Sequence, residues 1–195
     1  MGGARGARLG VACALGLVLS STARGADVSL RIEEDRPGWY VLEGSFTVTV
    51  PREIAWAVLT DYDHIGEFVS SIRASRVLER RPDRIVLEQE ASGGVLFFKR
   101  RTFVRLDIYE QPLRHLWFQD TSGRDFLSYS GAWRLDGQPP ALRVEYRLEA
   151  APRFYVPGFL ARGVFRRSAE RLLDEVRLEM MKRALAAETG VAQGR

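Results

Sequence analysis

Arg100 is the residue whose type and position most invite chemistry. Phe98, Arg100, Thr102, Val104, Leu106 and Ile108 alternate along one stretch, so strand parity turns the Arg100 guanidinium toward a row of apolar side chains. A cation on such a face must be paired or must hold an anion. Gln89, Thr102, Tyr129 and Tyr146 fall on the inward parities of their own stretches and offer neutral hydrogen bonds beside it. That set suits the carboxylate, phosphate or carbonyl end of a largely apolar molecule. Two alternatives stand against it: a bulge after Gly93-Gly94 that shifts the parity, or a structural acid that pairs with Arg100.

Other combinations are less productive. Asp61, Asp63 and His64 are close in sequence, but capping of a short helix explains the aspartates without a metal, and no second histidine stands nearby. His115 is alone in a strand pattern and is read as a structural or surface histidine. No Gly-x-Ser-x-Gly elbow, phosphate loop or dinucleotide fingerprint occurs, so no cofactor, no metal and no catalytic residue is assigned. Trp39, Trp56, Trp117 and Trp133 read as core or sheet-face packing, with Trp133 counted in the wall of the expected pocket.

The elements that must position these residues follow from periodicity. Val28, Leu30 and Ile32 alternate with polar residues, Asp35 to Gly38 turns the chain, and Tyr40, Leu42, Gly44, Phe46, Val48 and Val50 return along one face. Pro51 opens a short helix with Ile54, Ala55, Val58 and Leu59 on its apolar side, and a second carries Ile65, Phe68 and Val69. Six strand patterns come next. Leu127, Tyr129, Gly131, Trp133 and Leu135 share one face, and Leu142, Val144, Tyr146, Leu148 and Ala150 share another, which with short connections implies an antiparallel meander. From about Tyr155 to Ala187 the apolar period becomes helical: Phe165, Ala169, Leu172, Leu173, Val176, Met180 and Ala184 lie on one side. Arg166 with Glu170, Arg171 with Glu175 and Glu179 with Arg183 are four apart, each pair worth only a few tenths of a kcal/mol. Burial of the apolar stripe must therefore hold this helix. Phe159 and Val164 belong to its first turns, where Pro157, Gly158 and Gly163 interrupt an all-round apolar run; that start is either a movable gate over a pocket or ordinary core. On the helix back, Leu178, Met181 and Leu185 form a second stripe for a partner, a membrane or the N-terminal hairpin.

Length and composition, 195 residues with 46% hydrophobic content, bound one domain with a real core. Arg5 and Arg8, an apolar run from Leu9 to Leu19 and then Ser20, Ser21, Thr22 and Ala23 have the layout of a secretory signal peptide. Residues 1–23 are read as that signal, with cleavage as late as Ala26, residues 27–187 as the domain and 188–195 as a flexible tail. A retained anchor is the alternative, although the run falls short of the roughly 20 residues that span a bilayer. Cys13 is the only cysteine and lies in the signal, so the exported chain has no thiol chemistry. A cut at Ala26 removes Arg5, Arg8 and Arg24 and takes the formal charge from +4 to +1, which does not argue for nucleic acid.

Val-Pro-Arg-Glu-Ile-Ala-Trp-Ala-Val-Leu-Thr-Asp-Tyr-Asp from Val50, then Ile65, Phe68, Val69 and Ser75, resembles the opening of one START-like (SRPBCC) branch, that of polyketide cyclases/dehydrases and coenzyme Q-binding proteins. Gly123, Phe126, Tyr129, Gly131 and Trp133, with Pro152 and Pro157 before the last helix, are similar to its second half. The resemblance covers about Trp39 to Ala187. It implies an α+β helix-grip fold, a curved antiparallel sheet wrapped around a long C-terminal helix with a hydrophobic cavity between them. It also implies binding of a lipid, quinone, hormone or polyketide. The expected protein is a periplasmic monomer that carries a hydrophobic small molecule in a cavity lined by Gln89, Phe98, Arg100, Thr102, Val104, Tyr129, Trp133, Tyr146, Phe159 and Val164, with transient membrane contact left open. A cyclase/dehydratase-like enzyme acting in the same cavity, or a partner-binding module, are the alternatives.

Overall fold

The computed structural model describes residues 28–93, 100–138, 141–155 and 158–193, with side chains in the last helix described from Arg162 to Gly190. Strands β1 (Ser29–Arg36) and β2 (Trp39–Val48) form a hairpin, and helices α1 (Arg52–Leu59) and α2 (Ile65–Phe68) follow. Then come β3 (Ile72–Arg80), β4 (Ile85–Gly93), β5 (Arg100–Gln111), β6 (His115–Asp120), β7 (Phe126–Gln138), β8 (Ala141–Pro152) and α3 (Gly158–Gln193). The eight strands make one antiparallel sheet in the order β1-β2-β8-β7-β6-β5-β4-β3. Six consecutive strands meander as their one-sided alternation requires. The helical crossover of α1 and α2 carries the chain from β2 to the far edge, and β8 closes back on β2.

The long helix packs against β1, β2, α1 and α2. Its predicted stripe is the buried one: Ala169, Leu173, Val176, Met180 and Ala184 are buried among Leu42, Phe46, Val58, Leu142 and Val144. Close approach is possible because β2 has no side chain at Gly44, where a Cβ would stand 2.5 Å from Leu173 Cδ1. Strands β4 to β7 have no comparable approach to α3 among the described residues. Arg52, at the start of α1, locks the crossover by donating from Nη1 to the carbonyls of Leu113 (3.0 Å) and Leu135 (2.7 Å).

Several expectations are corrected. Leu127 does not share a face with Tyr129: the β7–β8 register shifts between Phe126 and Ser128, so Phe126 and Tyr129 both turn inward and Leu127 is 58% exposed. A bulge of this kind inverts parity without a glycine to announce it. Neither aspartate caps α2. Asp61 instead accepts from His64 Nδ1 (2.7 Å) and Arg183 Nη2 (2.8 Å), while Asp63 accepts the Val77 amide (2.8 Å). The pairs Arg166–Glu170 and Glu179–Arg183 form, but Glu175 leaves Arg171 and accepts the Ser70 amide at 3.0 Å. The last helix starts at Gly158 and runs to Gln193, through most of the stretch read as a tail.

Candidate functional site: an aromatic wall on the concave face

Between the Gly44–Leu173 contact and the far edge of the sheet, the concave face becomes aromatic. Tyr129 and Trp133 from β7, Phe118 from β6 and Tyr146 from β8 share it because Tyr146 lies opposite Trp133 and Phe118 lies opposite Gly131. Trp133 and Tyr146 have ring centroids 4.5 Å apart, Phe118 and Tyr129 5.9 Å, and Phe126 and Tyr129 4.8 Å. Gly131 makes the packing possible. A Cβ there would meet the Arg147 carbonyl at 2.4 Å and the Phe118 ring at 2.6 Å. Val104 and Leu106 continue the wall onto β5.

Among the described residues, two phenol hydroxyls lie on the wall. Neither the Tyr129 nor the Tyr146 hydroxyl has a hydrogen-bond partner among the described residues, whereas Tyr62 donates to Glu110. Burial pushes the Tyr129 phenol up to about 12. The Tyr146 phenol is raised well above its ordinary value by burial first and by Tyr129 second. Both stay protonated at neutral pH and are poor proton donors but good hydrogen-bond donors. Carboxylates at inward parity are already engaged: Glu110 accepts from Tyr62, and Asp120 accepts the amides of Arg105 (3.0 Å) and Ser122 (2.9 Å). The arrangement can hold a hydrophobic body and donate to an oxygen on it.

The remaining predicted positions separate into groups. Val104 and Thr102 lie on the inward parity of β5, Val104 buried and Thr102 half-buried. Gln89, opposite Val104, donates to Ser75 Oγ at 3.2 Å, and that hydroxyl in turn donates to the Tyr62 carbonyl, so Gln89 is tied to the frame of the fold. Val164 is half-buried on α3, while Phe98 and the Phe159 side chain lie outside the described residues. The apolar helix start read as gate or core falls largely there too.

Arg100 needs correction. Its parity is as expected, opposite Gly93, but it is the first residue of β5 and its side chain is 52% exposed. It pairs with Asp125 at 3.4 Å and lies over the Phe154 ring at 4.3 Å. It is a rim residue with a structural acid, not a buried anion holder. Phe118, Phe126 and Phe154 are wall residues that sequence reasoning did not assign. The alternation of Leu116 and Phe118 could have revealed Phe118, whereas Phe126 depends on the bulge and Phe154 on the chain path beyond β8.

The family model described as polyketide cyclase / dehydrase and lipid transport matches residues 48–177. Among solved structures, the Zhui aromatase/cyclase from Streptomyces sp. R1128 superposes with a TM-score of 0.61 at 17% identity, covering 74% of this chain and 95% of its own. A START superfamily protein from Mycobacterium smegmatis gives 0.62 at 13% identity, covering 73% and 97%. Human StAR-related lipid transfer protein 5 gives 0.61 at 12%, covering 81% and 83%. At these identities the likeness is one of fold. No curated protein matches by sequence.

Proposed function

The chain belongs to the polyketide cyclase/dehydrase and lipid transport family, and on that premise we propose that it is an exported binding protein for a hydrophobic small molecule, held between the sheet and α3. The observation that carries this reading is the aromatic wall with its two phenols that have no protein acceptor among the described residues. Apolar burial supplies affinity at roughly 25 cal/mol per Å², and the phenols orient an oxygen-bearing end. Lipids, isoprenoids or quinones, and aromatic polyketide-like compounds are the ligand classes that meet both requirements.

Export is supported by the tripartite N-terminus, and among the described residues no helix is long and apolar enough to cross a membrane. N-terminal sequencing of protein recovered from the periplasm checks it, a start at residues 24–27 being the expected result. The exposed charged ladder of Arg143, Glu145, Arg147 and Glu149 on the outer sheet face supports a monomer, which light scattering tests.

Uptake of the apolar fluorophore N-phenyl-1-naphthylamine tests the pocket. Saturable one-to-one binding with quenching of tryptophan emission is expected, and Val104→Trp, which fills the wall, should abolish it. Binding unaffected by Val104→Trp places the fluorophore elsewhere and removes the wall from the account. The cyclase/dehydratase reading has one observation in its favour, the adjacent Tyr129 and Tyr146. Their upward shifts suit them to hold a carbonyl rather than to transfer a proton.

A further inference from the structure

Exposed arginines gather at the rim of the aromatic wall. Arg100, Arg101, Arg124, Arg153 and Arg162 are all exposed, and strand position or contacts tie them to one end of the molecule. Arg100 and Arg124 both reach Asp125, at 3.4 and 3.9 Å. The Arg124 guanidinium lies 5.1 Å from the Phe103 ring, and Arg153 donates its amide to the Asp125 carbonyl (2.9 Å) and Nε to that of Phe126 (3.2 Å). Phe165, one turn after Arg162, packs 4.6 Å from Tyr40, which is opposite the same Ala150 that faces Tyr129. The first turns of α3 therefore sit at this end as well.

The acids here do not cancel that charge at the surface. The Asp125 side chain is only 12% exposed and accepts the Phe103 amide, and Asp120 is turned onto backbone amides, which among the described residues leaves Glu90, opposite Phe103, and Glu34, opposite Tyr40, against the five arginines. Two apolar side chains project among the arginines: Leu127, 58% exposed through the β7 bulge, and Tyr155, 87% exposed. The Leu178, Met181 and Leu185 stripe on the back of α3 lacks this polarity, since Asp174, Lys182 and Glu188 mix both signs along it.

We infer that this arginine rim, with Leu127 and Tyr155 at its tips, is the surface by which the protein docks on an anionic phospholipid bilayer, wall-side down. The inference rests on the ligand-binding reading in one respect: it places the arginine-bearing end of the wall against the source of an apolar ligand. Guanidinium groups recognise lipid phosphates in paired geometry, and a leucine and a tyrosine suit the interfacial zone above the acyl chains.

Sedimentation with vesicles tests it. The chain without residues 1–26 should pellet with phosphatidylcholine/phosphatidylglycerol vesicles and not with phosphatidylcholine alone. Raising salt from ~0.1 M to ~1 M, which shortens the Debye length from about 10 Å to about 3 Å, should release it. Arg101→Glu/Arg124→Glu should bind the anionic vesicles at least about tenfold more weakly, given about 1 kcal/mol per basic residue at such a surface. Arg31→Glu/Arg134→Glu makes the same change of net charge on the outer sheet face and should bind as the unaltered protein does. Equal loss in both double variants, or binding to phosphatidylcholine alone, overturns the proposal. Fluorophore uptake, measured without vesicles, separates the two readings: uptake retained without vesicle binding sinks only the docking surface, and vesicle binding without uptake sinks only the pocket.

Discussion

Three tyrosines at inward positions differ in what their hydroxyls meet, and that difference is measurable. Tyr62 donates to the Glu110 carboxylate, so Tyr62→Phe strands a charged acceptor and should cost about 1–3 kcal/mol of stability. Tyr129 and Tyr146 have no acceptor among the described residues, so Tyr129→Phe and Tyr146→Phe should each cost less than about 1 kcal/mol. Their effect should appear in binding instead. Affinity for an oxygen-bearing ligand should fall about 3- to 10-fold in Tyr146→Phe, the worth of one neutral hydrogen bond. Urea unfolding and isothermal titration on the three variants read both quantities. At this scale the sequence was informative about face and silent about partner. Alternation placed Tyr129, Trp133 and Tyr146 together, but nothing in it says that Glu110 reaches Tyr62 or that Asp125 holds Arg100. Those facts depend on where one element ends relative to another.

Two glycines let the elements close, and their neighbours predict different costs. At Gly44 a methyl group meets the movable end of Leu173; at Gly131 it meets the Arg147 carbonyl as well as the Phe118 ring. Gly131→Ala should therefore destabilise by about 1–3 kcal/mol, and more than Gly44→Ala, a ranking that thermal unfolding checks. A second link joins α1 and α2 to α3. Burial alone would raise the Glu179 carboxyl, but hydrogen bonds from Arg183 and Lys182 outweigh it and hold it below its usual range. Asp61 shows the same balance, with His64 and Arg183 as donors. Both shifts are downward on folding, so the stabilisation is present above the ordinary carboxylate pKa of about 4 and is lost as pH falls through the lower folded values. Glu179→Gln should be less stable than the unaltered protein at neutral pH, with the gap closing below about pH 4; denaturant unfolding at neutral and acid pH measures it. Strands and the long helix were legible because each has its own hydrophobic period. The bulge at Leu127 and the use of Glu175 on the Ser70 amide were not, because the first is an offset between strands and the second a contact across 105 residues.

For the whole molecule, the fold was readable from one physical demand: a long amphipathic helix needs a broad apolar cover, which the β1–β2 hairpin and the two short helices supply most closely while six alternating strands extend the same sheet. The proposed occupant of the part of the concave face that the helix does not approach is a hydrophobic guest. Native mass spectrometry of the protein purified from the periplasm of its own host addresses this most directly. The account predicts a second mass above that of the polypeptide, lost on extraction into organic solvent and restored by exposure to a lipid extract. A bare polypeptide mass throughout, from a folded protein that takes up nothing from that extract, would contradict it.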